Sequence, residues 1–290
     1  ATVTVLDEED PVAVCKDTTL YLNDLGEAVI VSDQLDGGSS DNCAVQSFLA
    51  DQNTFNCNDI GVNTVQLTVQ DFSLNESMCT STVSVLDTIS PAITCPEALT
   101  IPAAFGSCDT ALMDLGNAIV NDACGIDSTW NNAPELFTIG STSVLWTTVD
   151  LQGNQSTCNQ QIVVVDDQVP AITCPNDTLV STAFNQCETF VNGLFVEVSD
   201  NCGDDGLIVS NSFNANGQDA SDTYPIGETI VSFVVQDAAN NINQCTFTVQ
   251  VADEQVPDIT CPSDTTLSAD LDACSAWFTY DIPVSYTHLR

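Results

Sequence analysis

The chain has 290 residues and a formal charge of −39, from 41 acids against two bases, Lys16 and Arg290. That sign excludes nucleic acid and anionic membrane surfaces as partners, since both need clustered Lys or Arg. It favours cations, or surfaces that carry them. Disorder is excluded as well: 43% of residues are hydrophobic and they alternate along strand-like segments, so a core can form.

Fourteen cysteines recur at regular spacing, which points to disulfides in an oxidising compartment. Zinc would need close pairs such as C-x-x-C, usually with His; no such pair occurs, and the single His is His288. No apolar run reaches the roughly 18 residues of a membrane span, and no signal-peptide pattern is present.

The first segment, Ala1-Thr-Val-Thr-Val-Leu-Asp7, matches Thr82-Val-Ser-Val-Leu-Asp87. It reads as the last strand of a preceding repeat, and residues 1–290 as an internal piece of a longer secreted protein. A motif then recurs. Pro11-Val-Ala-Val-Cys15 is a loose copy, and Pro-x-Ile-Thr-Cys-Pro stands at Pro91–Pro96, Pro170–Pro175 and Pro257–Pro262. A period of about 80 residues exceeds the roughly 20 to 50 of solenoid units and suits a small sandwich domain. The expected repeats are 8–87, 88–166 and 167–253, with an incomplete fourth at 254–290.

Each complete repeat closes on two strands. The first carries Val65, Leu67, Val69, or Val144, Trp146, Thr148, or Val231, Phe233, Val235, and ends at Asp71, Asp150 or Asp237. Period-two spacing makes them half-buried strands, with Trp146 in the core. The last strand begins at Cys79, Cys158 or Cys245, eight residues before Asp87, Asp166 or Asp253. That even spacing turns each sulfur to the inward face. Its partner is expected near the start of the repeat, giving Cys15–Cys79, Cys95–Cys158 and Cys174–Cys245. The remaining cysteines are expected to pair locally, as Cys43–Cys57, Cys108–Cys124 and Cys187–Cys202. This connectivity rests on repetition, since four cysteines allow three pairings. Cys261 and Cys274 lack partners. At the end, Tyr286-Thr-His-Leu-Arg290 stands where Asp-Asn-Cys was due. It reads as a foreign or mis-assembled tail, expected to make no strand pairing with the fourth repeat, the alternative being a divergent last repeat.

These residues together resemble the HYR (hyalin repeat) domain, an immunoglobulin-like module. In the second repeat the resemblance is carried by Pro91, Ile93, Cys95, Pro96, Asp122, Phe137-Thr-Ile-Gly140, Val144, Asp150, Gly153, Asn154, Cys158 and Asp166. The third repeat carries it in Tyr224-Pro-Ile-Gly227, Asp237, Asn241, Cys245, Phe247 and Asp253, with Asn240 in place of the loop glycine. The first repeat, with Cys15-Lys-Asp and Phe55-Asn-Cys57, resembles a variant found in large bacterial surface proteins. The resemblance implies an all-β array of immunoglobulin-like sandwiches and a role in extracellular adhesion or surface architecture. It names no ligand.

In such a sandwich the second-to-third and sixth-to-seventh strand loops share one end, which also receives the incoming linker. This gathers Asp7, Glu8, Glu9, Asp41, Asp71 and Asn75 for the first repeat. For the second it gathers Asp87, Asp122, Asp150 and Asn154, and for the third Asp166, Asp167, Asp200, Asp237 and Asn241. Converging carboxylates repel unless a cation joins them, and calcium takes six to eight oxygens in flexible geometry. The competing reading is that these Asp and Asn residues only form turns. Three sequons, at Asn75, Asn154 and Asn176, overlap the same loops at the first two positions.

No enzyme is expected: nucleophilic triads need a histidine inside the fold, and the acids recur in every repeat as structural residues would. The function read from the sequence is a secreted or cell-surface structural rod. It would space or display an adhesive element that meets a surface or matrix protein or glycan. Two alternatives are a filament subunit completed by strand exchange, and a carbohydrate- or protein-binding module using the segments 128–135 or 211–223.

Overall fold

The computed structural model describes residues 1–112, 114–256, 258–259, 261–280 and 285–286. The fold is all-β, and one topology recurs in each of the three complete repeats. In the first, Thr18–Tyr21, Glu76–Leu86, Gly61–Asp71 and Val45–Ala50 form a four-stranded sheet in that order. Thr18–Tyr21 runs parallel to Glu76–Leu86, and the other neighbours are antiparallel. Glu27–Val29 and Thr54–Asn56 make a facing ladder. In the second, the sheet is Leu99–Pro102, Gln155–Val165, Gly140–Asp150 and Ile126–Asn131. It is faced by the ladders Ala92–Thr94 with Ile119–Asn121 and Asp109–Thr110 with Phe137–Thr138. In the third, the sheet is Thr178–Ser181, Ile242–Ala252, Gly227–Gln236 and Ile208–Asn211, faced by two further ladders.

The alternation read from the sequence sets the cores. Val65, Leu67, Val69, Val83 and Val85 are buried in the first repeat, with Leu35 and Phe55 against them. Burying side chains of this size contributes about 1.5 to 3 kcal/mol each. In the second, Trp146 is buried, and its indole N–H donates to Gln160 Oε1 at 3.0 Å. The Gln160 amide then donates to the carbonyls of Glu97 and Leu115. A buried indole is therefore satisfied by a buried glutamine that also pins two loops. In the third, Tyr224 stacks on Phe213 at 4.0 Å, and its hydroxyl donates to Ala220 O at 2.7 Å.

Contacts divide the chain into two compact units: Ala1–Ile101 with Asp109–Val164, and Pro102–Cys108 with the chain from Val165 onward. The first unit thus holds most of two repeats. The turn 102–108 groups with the second unit for a local reason. Gln168 accepts the N–H of Gly106 and donates to Ala104 O, Asn201 donates to Ser107 O, and Cys108 is bonded to Cys202.

Residues 1–7 join no ladder among the described residues, and Val3, Val5 and Leu6 are exposed. A lone strand has no neighbour to satisfy its backbone. At the other end Ser285–Tyr286 pairs antiparallel with Asp258–Ile259. Tyr286 therefore does pair with the fourth repeat, against the expectation for the tail. Asp258 faces Tyr286, whereas its counterpart Ala171 faces Ser199. That register is one residue later than the alignment of Ser285 with Ser199. Thr287–Arg290, including His288, lie outside the described residues.

Candidate metal centres

Five disulfides are present. Three close single repeats: Cys15–Cys79, Cys95–Cys158 and Cys174–Cys245. In the chain-entropy account each loop of this length contributes about 4 kcal/mol. The local pairs Cys43–Cys57, Cys108–Cys124 and Cys187–Cys202 do not form. In their place Cys57 is bonded to Cys124 and Cys108 to Cys202, so two bridges join different repeats, while Cys43 and Cys187 are free and exposed. The strand order explains this. In the third repeat, Thr178–Ser181 runs parallel to Ile242–Ala252 and ends beside Ala252, so Cys187 follows at that end. Cys202 precedes Ile208–Asn211, which pairs at Gln236 near the opposite end. The 11-residue strand between them spans roughly 35 Å at about 3.3 Å per residue. A disulfide needs Cα atoms within about 7 Å.

Cys43, Cys124 and Cys202 each close an Asp-x-Cys turn, and these turns carry the acids. The Cys43 N–H donates to Asp41 Oδ2, the Cys124 N–H to Asp122 Oδ1 and the Cys202 N–H to Asp200 Oδ2. The linker aspartates make the same kind of turn, with Asp7, Asp87 and Asp166 accepting the N–H groups of Glu9, Ile89 and Gln168. One oxygen of each acid is thereby committed to its own backbone.

The acids also converge. Asp7, Asp41 and Asp71 form one cluster, Asp87, Asp122 and Cys124 a second, and Asp166, Asp200 and Cys202 a third, each with ligand atoms within 4.8 Å of one another. Asp7 Oδ2, Asp41 Oδ1, Asp87 Oδ2 and Asp200 Oδ1 are buried without a hydrogen-bond partner. Among the described residues the only other such side-chain atom is Asn214 Nδ2. Orphaned polar atoms are rare in folded proteins and call for a partner. The Cys43 thiol beside Asp7 holds that carboxyl below the usual carboxylate range, with the Glu9 N–H adding to it. The same carboxylate pushes the Cys43 thiol up.

The third acid of each group has another task. Asp71 Oδ1 accepts the N–H groups of Ser73 and Asn75, and its Oδ2 accepts the Asn75 amide at 2.8 Å. Asp150 does the same with Gln152 and Asn154, and Asp237 with Asn241. The second amide hydrogens of Asn75, Asn154 and Asn241 reach the backbone oxygens of Asp7, Asp87 and Asp166. These Asp–Asn pairs are turn-formers that grip the linker. Asp150, Asp237 and the exposed Asp167 are not among the clustered acids. Sugars on Asn75 or Asn154 would displace these amide bonds, whereas Asn176 is exposed.

An all-oxygen set of carboxylates with free lone pairs suits a hard cation such as calcium. The sulfurs of Cys124 and Cys202 are committed to bridges and contribute no thiolate. The segments 128–135 and 211–223, considered for binding from sequence, have defined local structure. Residues 128–131 lie in a strand, and Asn211 knits 211–219 together through Asn214, Gly217 and Asp219.

Comparison with known proteins agrees with the repeat motif. Residues 165–251 match the HYR domain family model. Hyalin of Lytechinus variegatus is 26% identical over 243 residues, covering 78% of this chain and 43% of that protein. Hyalin of Strongylocentrotus purpuratus is 27% identical over 238 residues, covering 78% of this chain and 19% of that protein. The chain thus spans less than half the length of either relative. Among solved structures, the protocadherin GammaB4 extracellular domain aligns over 90% of this chain and 53% of that one, at 14% identity and TM-score 0.36. Drosophila N-cadherin EC1-4 aligns over 86% and 76%, at 11% identity and TM-score 0.35. Among the described residues no helix is long and apolar enough to cross a membrane. The third repeat is thus similar to an HYR domain, and 78% of the chain is similar to the two hyalins.

Proposed function

We propose that the chain is a non-catalytic, extracellular adhesion-type module whose repeats space or display an adhesive element, stiffened by calcium at the carboxylate clusters. The observation that carries the calcium reading is the set of orphaned oxygens. Asp87 is 8% exposed, its Oδ2 has no donor, and Asp122 lies beside it. Burying an unpaired charge is costly, and no Lys or Arg of this chain pairs with these acids in the structure described. Asp7 with Asp41, Asp87 with Asp122, and Asp166 with Asp200 would hold the ion, and the ion would supply charge neutralisation. Five disulfides fit an oxidising, extracellular setting. The partner would be a surface or matrix protein or glycan that tolerates strong negative charge.

The test is thermal melting and small-angle scattering of the whole chain in calcium and in chelator, with magnesium as control. Extracellular calcium modules bind at roughly 10⁻⁴ to 10⁻³ M. At about 100 times the dissociation constant one site adds about 2.7 kcal/mol. Equal melting temperatures and equal maximum dimensions in calcium and chelator would remove the calcium reading and leave these acids as turn-formers.

A further inference from the structure

The strand positions that alternate with the buried ones put the second face of each four-stranded sheet on the surface. In the first repeat Thr64, Gln66 and Thr68 stand there opposite Thr82, Thr80 and Met78. In the second, Ser143, Leu145 and Thr147 stand opposite Gln161, Asn159 and Thr157. In the third, Ile230, Ser232 and Val234 stand opposite Thr248, Thr246 and Gln244. Each of these is a hydroxyl, an amide or an apolar side chain, in a chain with 41 acids. The exposed acids of the four-stranded sheets are Glu76, Asp127 and Glu228, and each is the first or second residue of its strand. The middle of each face carries no charge.

Strand preference does not account for this. The facing ladders are strands too, and they carry the exposed Glu27, Glu188 and Glu197. The uncharged faces also carry large apolar side chains. Leu49, Thr68 and Met78 make one row across three strands of the first repeat, with Leu49 and Met78 exposed. Ile208, Gln236 and Ile242 make the matching row in the third, with both isoleucines exposed. Trp130, also exposed, stands in a row with Thr147 and Thr157 in the second.

We propose that the outward face of these four-stranded sheets packs against the same kind of face on a second copy of this chain, in a weak lateral association. The charge distribution selects this occupant. A basic partner would be held by the acids and would gain nothing from a face without them. Two copies, each at a formal −39, repel wherever acids meet, and an uncharged face lets them touch without burying like charges against each other. The exposed Leu, Met and Ile side chains supply the area that contact removes from water. That area sets the strength. The two central strands of the first repeat have 11 residues each, about 35 Å at about 3.3 Å per residue, and four strands at about 4.8 Å with shorter outer members give about 500 Å² per repeat. Two such faces bury about 1,000 Å², below the roughly 1,200 Å² at which stable complexes begin, so a single repeat associates only transiently. This goes beyond the calcium reading and needs no ion.

The test is sedimentation velocity of the full chain over a concentration series, in chelator, with the free thiols blocked by iodoacetamide. One variant carries Met78→Glu and Ile230→Glu on the outward faces. A control carries Thr54→Glu and Thr173→Glu, which add the same charge at exposed positions of the facing ladders. Wild type and control are expected to show a sedimentation coefficient that rises with concentration. The rise should steepen from about 0.05 M to about 0.5 M salt, as repulsion between copies is screened. In the outward-face variant the dissociation constant should weaken by at least about tenfold. Equal weakening in variant and control would overturn the proposal, as would association that salt weakens. A wild type that stays monomeric throughout would overturn it too, and would leave the face to a different partner such as a neutral glycan.

Discussion

Replacing Asp87 by Asn should change the sign of its effect on stability when calcium is added. Asp87 Oδ1 accepts the Ile89 N–H at 3.0 Å, and an amide oxygen preserves that bond. Oδ2 is buried, unpartnered and grouped with Asp122 within 4.8 Å. Two like charges about 4 Å apart repel by about 4 kcal/mol at an effective dielectric constant near 20. Asp122 is only half-buried, so solvent screening leaves about 1 to 2 kcal/mol of that repulsion. In chelator, Asp87→Asn removes the repulsion and places an amide donor toward Asp122. At about 2 to 4 °C per kcal/mol for a unit of 150 to 250 residues, the melting temperature should rise by about 2 to 8 °C. In saturating calcium the same change removes a charged ligand and forfeits much of the roughly 2.7 kcal/mol of linkage, so the melting temperature should fall. Differential scanning calorimetry of wild type and variant in both buffers reads the crossover. A shift of the same sign and size in calcium and in chelator would refute the shared-cation argument.

Burial, with Asp222 and Asp219 nearby, pushes the Tyr224 hydroxyl up to about 12. A raised folded value means that stability is complete below the unfolded value of about 10 and is lost as pH rises toward about 12. Absorbance titration should show one late tyrosine that Tyr224→Phe abolishes. Trp146→Phe strands buried Gln160 Oε1 and should cost about 1 to 3 kcal/mol in denaturant unfolding. Gly26 has φ +72°, and a Cβ there would lie 2.5 Å from Cys57 Sγ. Gly26→Ala should therefore lower the melting temperature, and Cys57→Ser with Cys124→Ser should relieve part of that loss; an unchanged penalty would place the strain in the backbone alone.

The core was legible because strand phase is a local property. Val65, Leu67 and Val69 alternate in sequence and are buried in fact, and the same even count turned Cys79 toward Cys15. The short-range cysteine pairs were misread because nearness in sequence was taken for nearness in space. Fifteen residues separate Cys187 from Cys202, but the chain passes from one end of the sandwich to the other between them. The signal that would have corrected this is the parallel first strand, Thr178–Ser181 along Ile242–Ala252. It delivers the chain to the far end before Cys187. The acids were harder to divide. Asp41 and Asp71 both sit in Asx-type turns, and sequence cannot tell which keeps an oxygen free. The structure separates them because Asn75 covers Asp71 Oδ2 with its amide, while nothing covers Asp41 Oδ1.

The Asp-x-Cys turn puts two kinds of fastening two residues apart. In the turn at Asp122 and Cys124, the sulfur is bonded to Cys57 of the preceding repeat, while the carboxylate faces Asp87 of the linker. The two respond to different variables. A disulfide in an oxidising compartment persists whatever the ion concentration, because its exchange needs a thiol. A carboxylate pair holding calcium at roughly 10⁻⁴ to 10⁻³ M would load and unload as free calcium changes. The Asn154 amide bond to the Asp87 carbonyl survives either state, since it uses neither carboxylate oxygen of Asp87. On the proposed reading, loss of calcium would loosen the linker without parting the repeats, and reduction would part the Cys57–Cys124 tether without emptying the carboxylate cluster. Calcium titration of the chain carrying Cys57→Ser and Cys124→Ser, with its other bridges intact, separates the two. Retained calcium dependence of melting in that variant would mean that the carboxylates act alone. Its loss would mean that the bridge is needed to bring Asp122 to Asp87.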